Sequence, residues 1–219
     1  MHFIQSKILD QLLYNEKLRY SQLKPEGVES NHFAYHLKEL QKDKLVARVD
    51  GGYTLAPKGL AYVDRLSHKH MKTREQPKIV TMIKITNPDQ QQLLFKRNYQ
   101  PYIHCYGWPS GKIHLDETVP EAANRELLEK TGLSGVALEH RGIIDLEVRQ
   151  AGFVISRVMI HVFSGELVTS SSPIGGSRGE CRWGSFEDMP DELLMPASKK
   201  IDTLLSSQKF FFETIKAEA

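Results

Sequence analysis

The chain has 219 residues, 26% charged and 40% hydrophobic, enough for one large or two ordinary domains that fold without disulfides or metals. No apolar run approaches the roughly 20 residues that span a bilayer. Charge inside the opening MHFIQSKILDQLLYNEK argues against a signal peptide. Only two cysteines occur, Cys105 and Cys181, in no metal-type spacing, so a reduced, cytoplasmic setting without a membrane is expected. The net charge of +2 divides unevenly: residues 1–76 hold 13 Lys+Arg against 9 Asp+Glu, and residues 77–219 hold 16 against 18.

In chain order, Ile4, Ile8, Leu12 and Leu13 recur at helical spacing and predict a first helix. A short second helix over Tyr20–Leu23 ends at Pro25 and Gly27. Glu29-Ser30-Asn31 opens a longer third helix, with Phe33, Leu37 and Leu40 on its buried face. Arg48 to Leu55 alternates around Asp50-Gly51-Gly52, the chemistry of a tight hairpin. Gly59 to Leu66 carries Leu60, Val63 and Leu66 at helical spacing. Together these predict a winged helix-turn-helix over residues 1–70.

The stretch NHFAYHLKELQKDKLVARVDGGYTLAPKGLAYV resembles the recognition helix and wing of small bacterial and archaeal regulators. That resemblance implies that Ser30, Asn31, His32, Tyr35, His36 and Lys38, opposite the apolar stripe, read base edges or phosphates of duplex DNA. A homodimer or another protein contact is the competing use, and so small a basic excess does not choose between them.

The polar segment from Ser67 to Pro77 lacks apolar periodicity, and residues 71–77 are read as a linker to a second domain over 78–219. There Lys78–Ile85 and Gln92–Arg97 flank Asn87-Pro88-Asp89-Gln90 as a strand hairpin. Thr118 stands at the cap of a helix opened by Pro120-Glu121. Gly142–Glu147 and Phe153–Phe163 supply later strands, Ser170 to Ser177 is a low-complexity surface loop, and a helix over Ala197–Leu205 closes the domain.

The chemistry lies in Gly111-Lys112-Ile113-His114-Leu115-Asp116-Glu117, seven residues, then Arg125-Glu126-Leu127-Leu128-Glu129-Lys130-Thr131-Gly132-Leu133. Glu126 and Glu129, three apart on one helix face, form half of an oxygen-rich site for Mg²⁺ or Mn²⁺. This stretch resembles the Nudix signature with every specified position matched but one. Trp108-Pro109-Ser110 resembles the turn that opens it, and Glu180-Cys181-Arg182-Trp183, with Phe186 and Pro190, the late Glu and Trp region.

The resemblance implies an α/β/α sandwich with a mixed sheet, and an α+β chain as a whole. It implies catalytic and metal-ligating roles for Glu126, Glu129 and Glu180, joined by the backbone carbonyl near Ser110. Gly111, Glu117, Arg125 and Gly132 are the structural frame, with Glu117 and Arg125 as an ion pair.

The departure is Lys130, where the family usually carries a metal-ligating Glu. An ammonium cannot ligate Mg²⁺, and its charge beside the carboxylates costs several kcal/mol of metal affinity. Lys130 also stands i, i+4 from Glu126 in the order that favours a helix salt bridge, and its charge suits a ligand phosphate. Two functions follow. One is hydrolysis of a nucleoside diphosphate linked to another group, as in a nucleotide sugar, a dinucleotide or a nucleoside triphosphate. The other is a transcriptional regulator whose Nudix domain senses such a nucleotide without cutting it. A protein-interaction adaptor is a third reading.

Overall fold

The computed structural model describes residues 1–64, 66–67, 72–73, 76–168, 173–175 and 178–218, with only the backbone at 66–67 and 72–73. The chain divides into two compact units, Met1–Glu75 and Gln76–Ala219. No helix among the described residues is long and apolar enough to cross a membrane. Of the segment expected as a linker, residues 71, 74 and 75 lie outside the described residues, as do 170–172, 176 and 177 of the expected Ser170–Ser177 loop.

The front unit runs α1 (Phe3–Leu13), α2 (Tyr20–Leu23), α3 (Ser30–Lys42), β1 (Val46–Val49), β2 (Gly52–Leu55) and α4 (Pro57–Asp64). Strands β3 (Leu66–Ser67) and β4 (Lys72–Thr73) follow as an antiparallel pair. The α1 stripe is Ile4, Ile8, Leu9 and Leu12, so Leu9 is buried where Leu13 was expected. These side chains pack on Phe33, Leu37 and Leu40 of α3 and on Val63 of α4. The hairpin pairs Val49 with Gly52 across Asp50-Gly51, where Gly51 takes a φ of 75° that L side chains rarely adopt. Helix α4 stops at Asp64, so Leu66 belongs to a strand, and Leu60 is exposed. What presses α4 onto the core is Gly59, where a Cβ would sit 1.9 Å from the Leu45 carbonyl oxygen.

The later unit is built on β5 (Lys78–Thr86), β6 (Gln92–Arg97), β7 (Tyr106–Gly107), β8 (Ser110–Lys112), α5 (Val119–Thr131), β9 (Glu139–Gln150), β10 (Phe153–Glu166), β11 (Gly179–Gly184), α6 (Ser198–Ser207) and β12 (Phe211–Glu218). The strand order is β11-β6-β5-β10-β9-β12, with β7 on β6 and β8 on β5. β10 runs parallel to β5 and β12 parallel to β9, while the other pairs are antiparallel, so the sheet is mixed. Adjacent Leu93 and Leu94 show how it is covered, because successive strand residues point to opposite faces. Leu93 joins Ala123 and Leu127 of α5, and Leu94 joins Ile201 and Leu205 of α6. The α5 face is thinned by Ala122 and Ala123, both fully buried.

Candidate nucleotide site

Helix α5 begins on a complete capping box. The Glu121 carboxylate accepts the Thr118 N–H at 2.7 Å, and Thr118 Oγ1 accepts the Glu121 N–H at 3.4 Å. It ends on Gly132, whose φ of 73° forms the left-handed cap. Thr118→Ala should cost the later unit about 1 kcal/mol. Both tryptophans of the chain, Trp108 and Trp183, lie in that unit. A denaturant curve followed by their fluorescence therefore reads this loss, and an unmoved midpoint would show that the box adds nothing.

The loop before α5 is locked to it by Arg125. Its Nε donates to Glu117 Oε2 at 2.8 Å, its Nη2 to Glu117 Oε1 at 2.7 Å, and Nη2 also to the Lys112 carbonyl at 3.0 Å. The guanidinium hydrogen bonds hold the Glu117 carboxyl down to about 2, helped by the His114 N–H at 2.6 Å. The turn at Trp108 is anchored separately, its Nε1–H donating to Gln92 Oε1 at 2.9 Å. Gln92 Nε2 in turn donates to Asp202 of α6 at 2.7 Å.

Glu126 is 5% exposed and lies directly against Gly111, where a Cβ would stand 1.8 Å from its carboxyl carbon. Only glycine lets β8 come this close to the helix. Both carboxylate oxygens are engaged by cations. Arg125 Nη1 donates to Oε1 at 2.8 Å, and Lys130 Nζ stands 3.1 Å from Oε2. The two members of the second pair are 8% and 7% exposed. Burial pushes the Lys130 ammonium below its usual range against the attraction of Glu126, and Arg97 and Arg178 push it the same way.

Glu126, Lys130, Ser110 and Gly111 line a cavity of about 730 Å³, a volume suited to a small-molecule ligand. Its floor includes Leu146, Val148 and Ile160 of β9 and β10. Five cations line it, namely Lys78, Arg97, Lys112, Lys130 and Arg178, against Glu126 as the sole carboxylate among the described lining residues. Arg97 Nε and the Tyr102 hydroxyl, also lining residues, are buried with no hydrogen-bond partner. Nothing in the spacing of Lys78, Arg97, Tyr102 and Arg178 announces them, since they reach the cavity from separate elements.

The other two expected carboxylates do not line the cavity. The Glu129 side chain is 52% exposed, touches Arg125 Nη1 at 3.4 Å and does not line the cavity. Glu180 lies in β11 opposite Lys96. In that strand Cys181 turns to α5, its Sγ 3.3 Å from the Lys130 carbonyl, and alternation sends the exposed Glu180 to the other face. These residues do not fit the divalent cation that the resemblance implies. Mg²⁺ needs several oxygen donors in octahedral array, whereas each Glu126 oxygen already faces a cation and an ammonium occupies the next turn.

On α3, Ser30, Asn31, His32, Tyr35 and Lys38 are exposed. His36 departs from the expectation. It is 7% exposed and counts with Phe33, Leu37 and Leu40 among the buried residues, because the His2 ring covers it at a centroid distance of 4.0 Å.

A model of the NUDIX domain matches residues 75–205. An ADP-ribose pyrophosphatase of Methanocaldococcus jannaschii is 36% identical over 112 residues, which cover 47% of this chain and 66% of that protein, so the chain spans just under two thirds of it. An uncharacterised Nudix hydrolase of Bacillus subtilis, YvcI, is 23% identical over 47% of this chain and 67% of its own. Among solved structures, a MutT protein of Bacillus halodurans superposes with a TM-score of 0.51 at 24% identity, over 64% of this chain and 89% of that one. The Nudix domain of Shewanella oneidensis NrtR, a cocrystal with ADP ribose, gives 0.52 at 16% identity, over 67% and 96%. These two likenesses establish the fold. With its model matched over more than half the length, and with the Gly111, Glu117, Arg125 and Glu126 frame assembled as described, the chain belongs to the Nudix family.

Proposed function

We propose that the later unit binds a nucleoside diphosphate joined to a second group, of the ADP-ribose class, and grips the diphosphate with side-chain cations. The buried Lys130–Glu126 pair carries this reading. It places an ammonium where a metal-binding carboxylate is usual, inside a cavity whose described charged lining is otherwise basic apart from Glu126. Charge-assisted hydrogen bonds to phosphate oxygens are strong and directional. Arg97 and Tyr102 bring a guanidinium and a phenol to the lining of the same cavity. The relative named ADP-ribose pyrophosphatase supports this choice of ligand class.

The competing reading, divalent-metal-dependent hydrolysis with Glu126, Glu129 and Glu180 as ligands, is favoured by the intact Gly111–Glu126 and Glu117–Arg125 contacts. One experiment separates the two. The full chain is titrated with ADP-ribose and with a nucleotide sugar in EDTA, then in Mg²⁺ or Mn²⁺, while binding heat and nucleotide release are followed. Binding in EDTA without release in either metal is expected. Multiple turnovers in Mg²⁺ with no binding in EDTA would sink the proposal.

In the front unit, the three helices and the β1–β2 hairpin support a winged helix that binds duplex DNA through the exposed Ser30, Asn31, Tyr35 and Lys38 of α3. The whole chain then acts as a nucleotide-responsive regulator. Binding should weaken steeply with salt, and Lys38→Ala should lower the slope of log affinity against log salt by about 1. An unchanged slope would remove Lys38 from the interface, and absence of binding at low salt would favour dimerisation.

A further inference from the structure

We propose that His2, His32 and His36 of the front unit form a site for one transition-metal ion of the Zn²⁺ class. His32 and His36 stand i, i+4 on α3, the spacing that puts two side chains on one helix face. Their Nε2 atoms face each other at 3.1 Å. Two imidazole nitrogens on a tetrahedral zinc, with bonds of about 2.0–2.1 Å, stand about 3.3 Å apart, so this pair is already near ligand spacing. The third ring comes from the other helix. His2 caps α1 and stacks on His36 at 4.0 Å with 10° between the planes. One ligand nitrogen from each of the three lies within 4.8 Å of the others.

A packing role alone does not account for this cluster. His36 is 7% exposed, and the ring nitrogen it turns to a neighbour is Nε2, held against His32 Nε2 beneath the stacked His2 ring. The exposed rings of His2 and His32 give an ion its way in. A donor set of imidazoles alone selects Zn²⁺, Cu²⁺ or Ni²⁺ over Mg²⁺ and Ca²⁺.

Without metal, one proton must be shared between the facing Nε2 atoms. On binding, the ion takes its place, and the ring that held this proton on Nε2 carries it on Nδ1 instead. His2 must also move, because a ring stacked parallel on His36 cannot aim its nitrogen at the same ion. Its Nδ1 now accepts the Ile4 N–H at 3.2 Å. Ligation therefore pins the start of α1 to α3.

The test is a Co²⁺ titration of the full chain, following the visible band of four-coordinate cobalt and its displacement by Zn²⁺. Wild type should bind a single Co²⁺ in this way. His32→Gln and His2→Gln should each weaken binding by about tenfold or more, as expected when a ligand is removed. Both positions are exposed, so far-UV circular dichroism should show an unchanged fold. His161→Gln, in the later unit, should leave the affinity unaltered. No cobalt band in the wild type would overturn the proposal, as would a band of unchanged affinity in either front-unit variant.

Discussion

In Lys130→Glu, affinity for ADP-ribose in EDTA should fall at least tenfold, and a stabilisation by Mg²⁺ should appear that wild type lacks. The Lys130 Nζ stands 3.1 Å from Glu126 Oε2 in a pair whose side chains are 8% and 7% exposed. Replacing the ammonium removes one partner of a buried ion pair and sets two carboxylates one helical turn apart, at a cost of about 3–5 kcal/mol when no cation intervenes. On the proposed binding mode, a diphosphate in the cavity of the variant would meet two anions in place of the ammonium. With Mg²⁺ present the same two carboxylates become oxygen ligands, so stability and ligand affinity should recover together. The measurements are thermal unfolding and calorimetric titration of both proteins, each in EDTA and in Mg²⁺. Tighter binding in EDTA would remove Lys130 from the phosphate site, and equal stability of the variant in the two conditions would show that the added carboxylate ligates no metal.

Gly111→Ala should lower ligand affinity at least tenfold and destabilise the later unit by about 1–3 kcal/mol, the usual range for an extra methyl in a filled space. The added Cβ would stand 1.8 Å from the Glu126 carboxyl carbon and 2.0 Å from each oxygen. Glu126 cannot swing aside freely, because Arg125 and Lys130 hold it from both ends. Moving it breaks one of these contacts or lifts β8 away from α5. A double-mutant cycle with Glu126→Ala tests the cause. If the clash is with the carboxylate, the double variant should be more stable than the sum of the two single losses predicts. Additive losses would point instead to strain in the β8 backbone.

The local features of this chain were legible from its residues alone. The Glu117–Arg125 pair follows from the resemblance carried by the register from Gly111 to Leu133, whereas the Thr118 cap is set by neighbours within a few positions, so the start of α5 follows from spacing. The Asp50-Gly51 turn is legible for the same reason. Strand β12 is not. Its buried residues Phe211 and Ile215 are four apart with an exposed Phe212 between them, a spacing that reads as helix, and only its parallel place beside β9 makes it a strand. His36 lies beside the apolar stripe of α3 and could face either way by spacing. The His2 ring, brought across by α1, buries it.

The cavity was the least legible feature. Lys78, Arg97, Lys112 and Arg178 come from different strands and loops to meet Lys130 on α5, and no periodicity links them. Glu126, Glu129 and Glu180 look alike in a motif, but they differ in what surrounds them. The close approach of β8 buries the first, the helix surface exposes the second, and strand alternation turns the third from Cys181 and α5. Spacing along the chain determines which residues share an element, whereas charge and burial at a site depend on elements far apart in sequence, and those only the tertiary structure brings together.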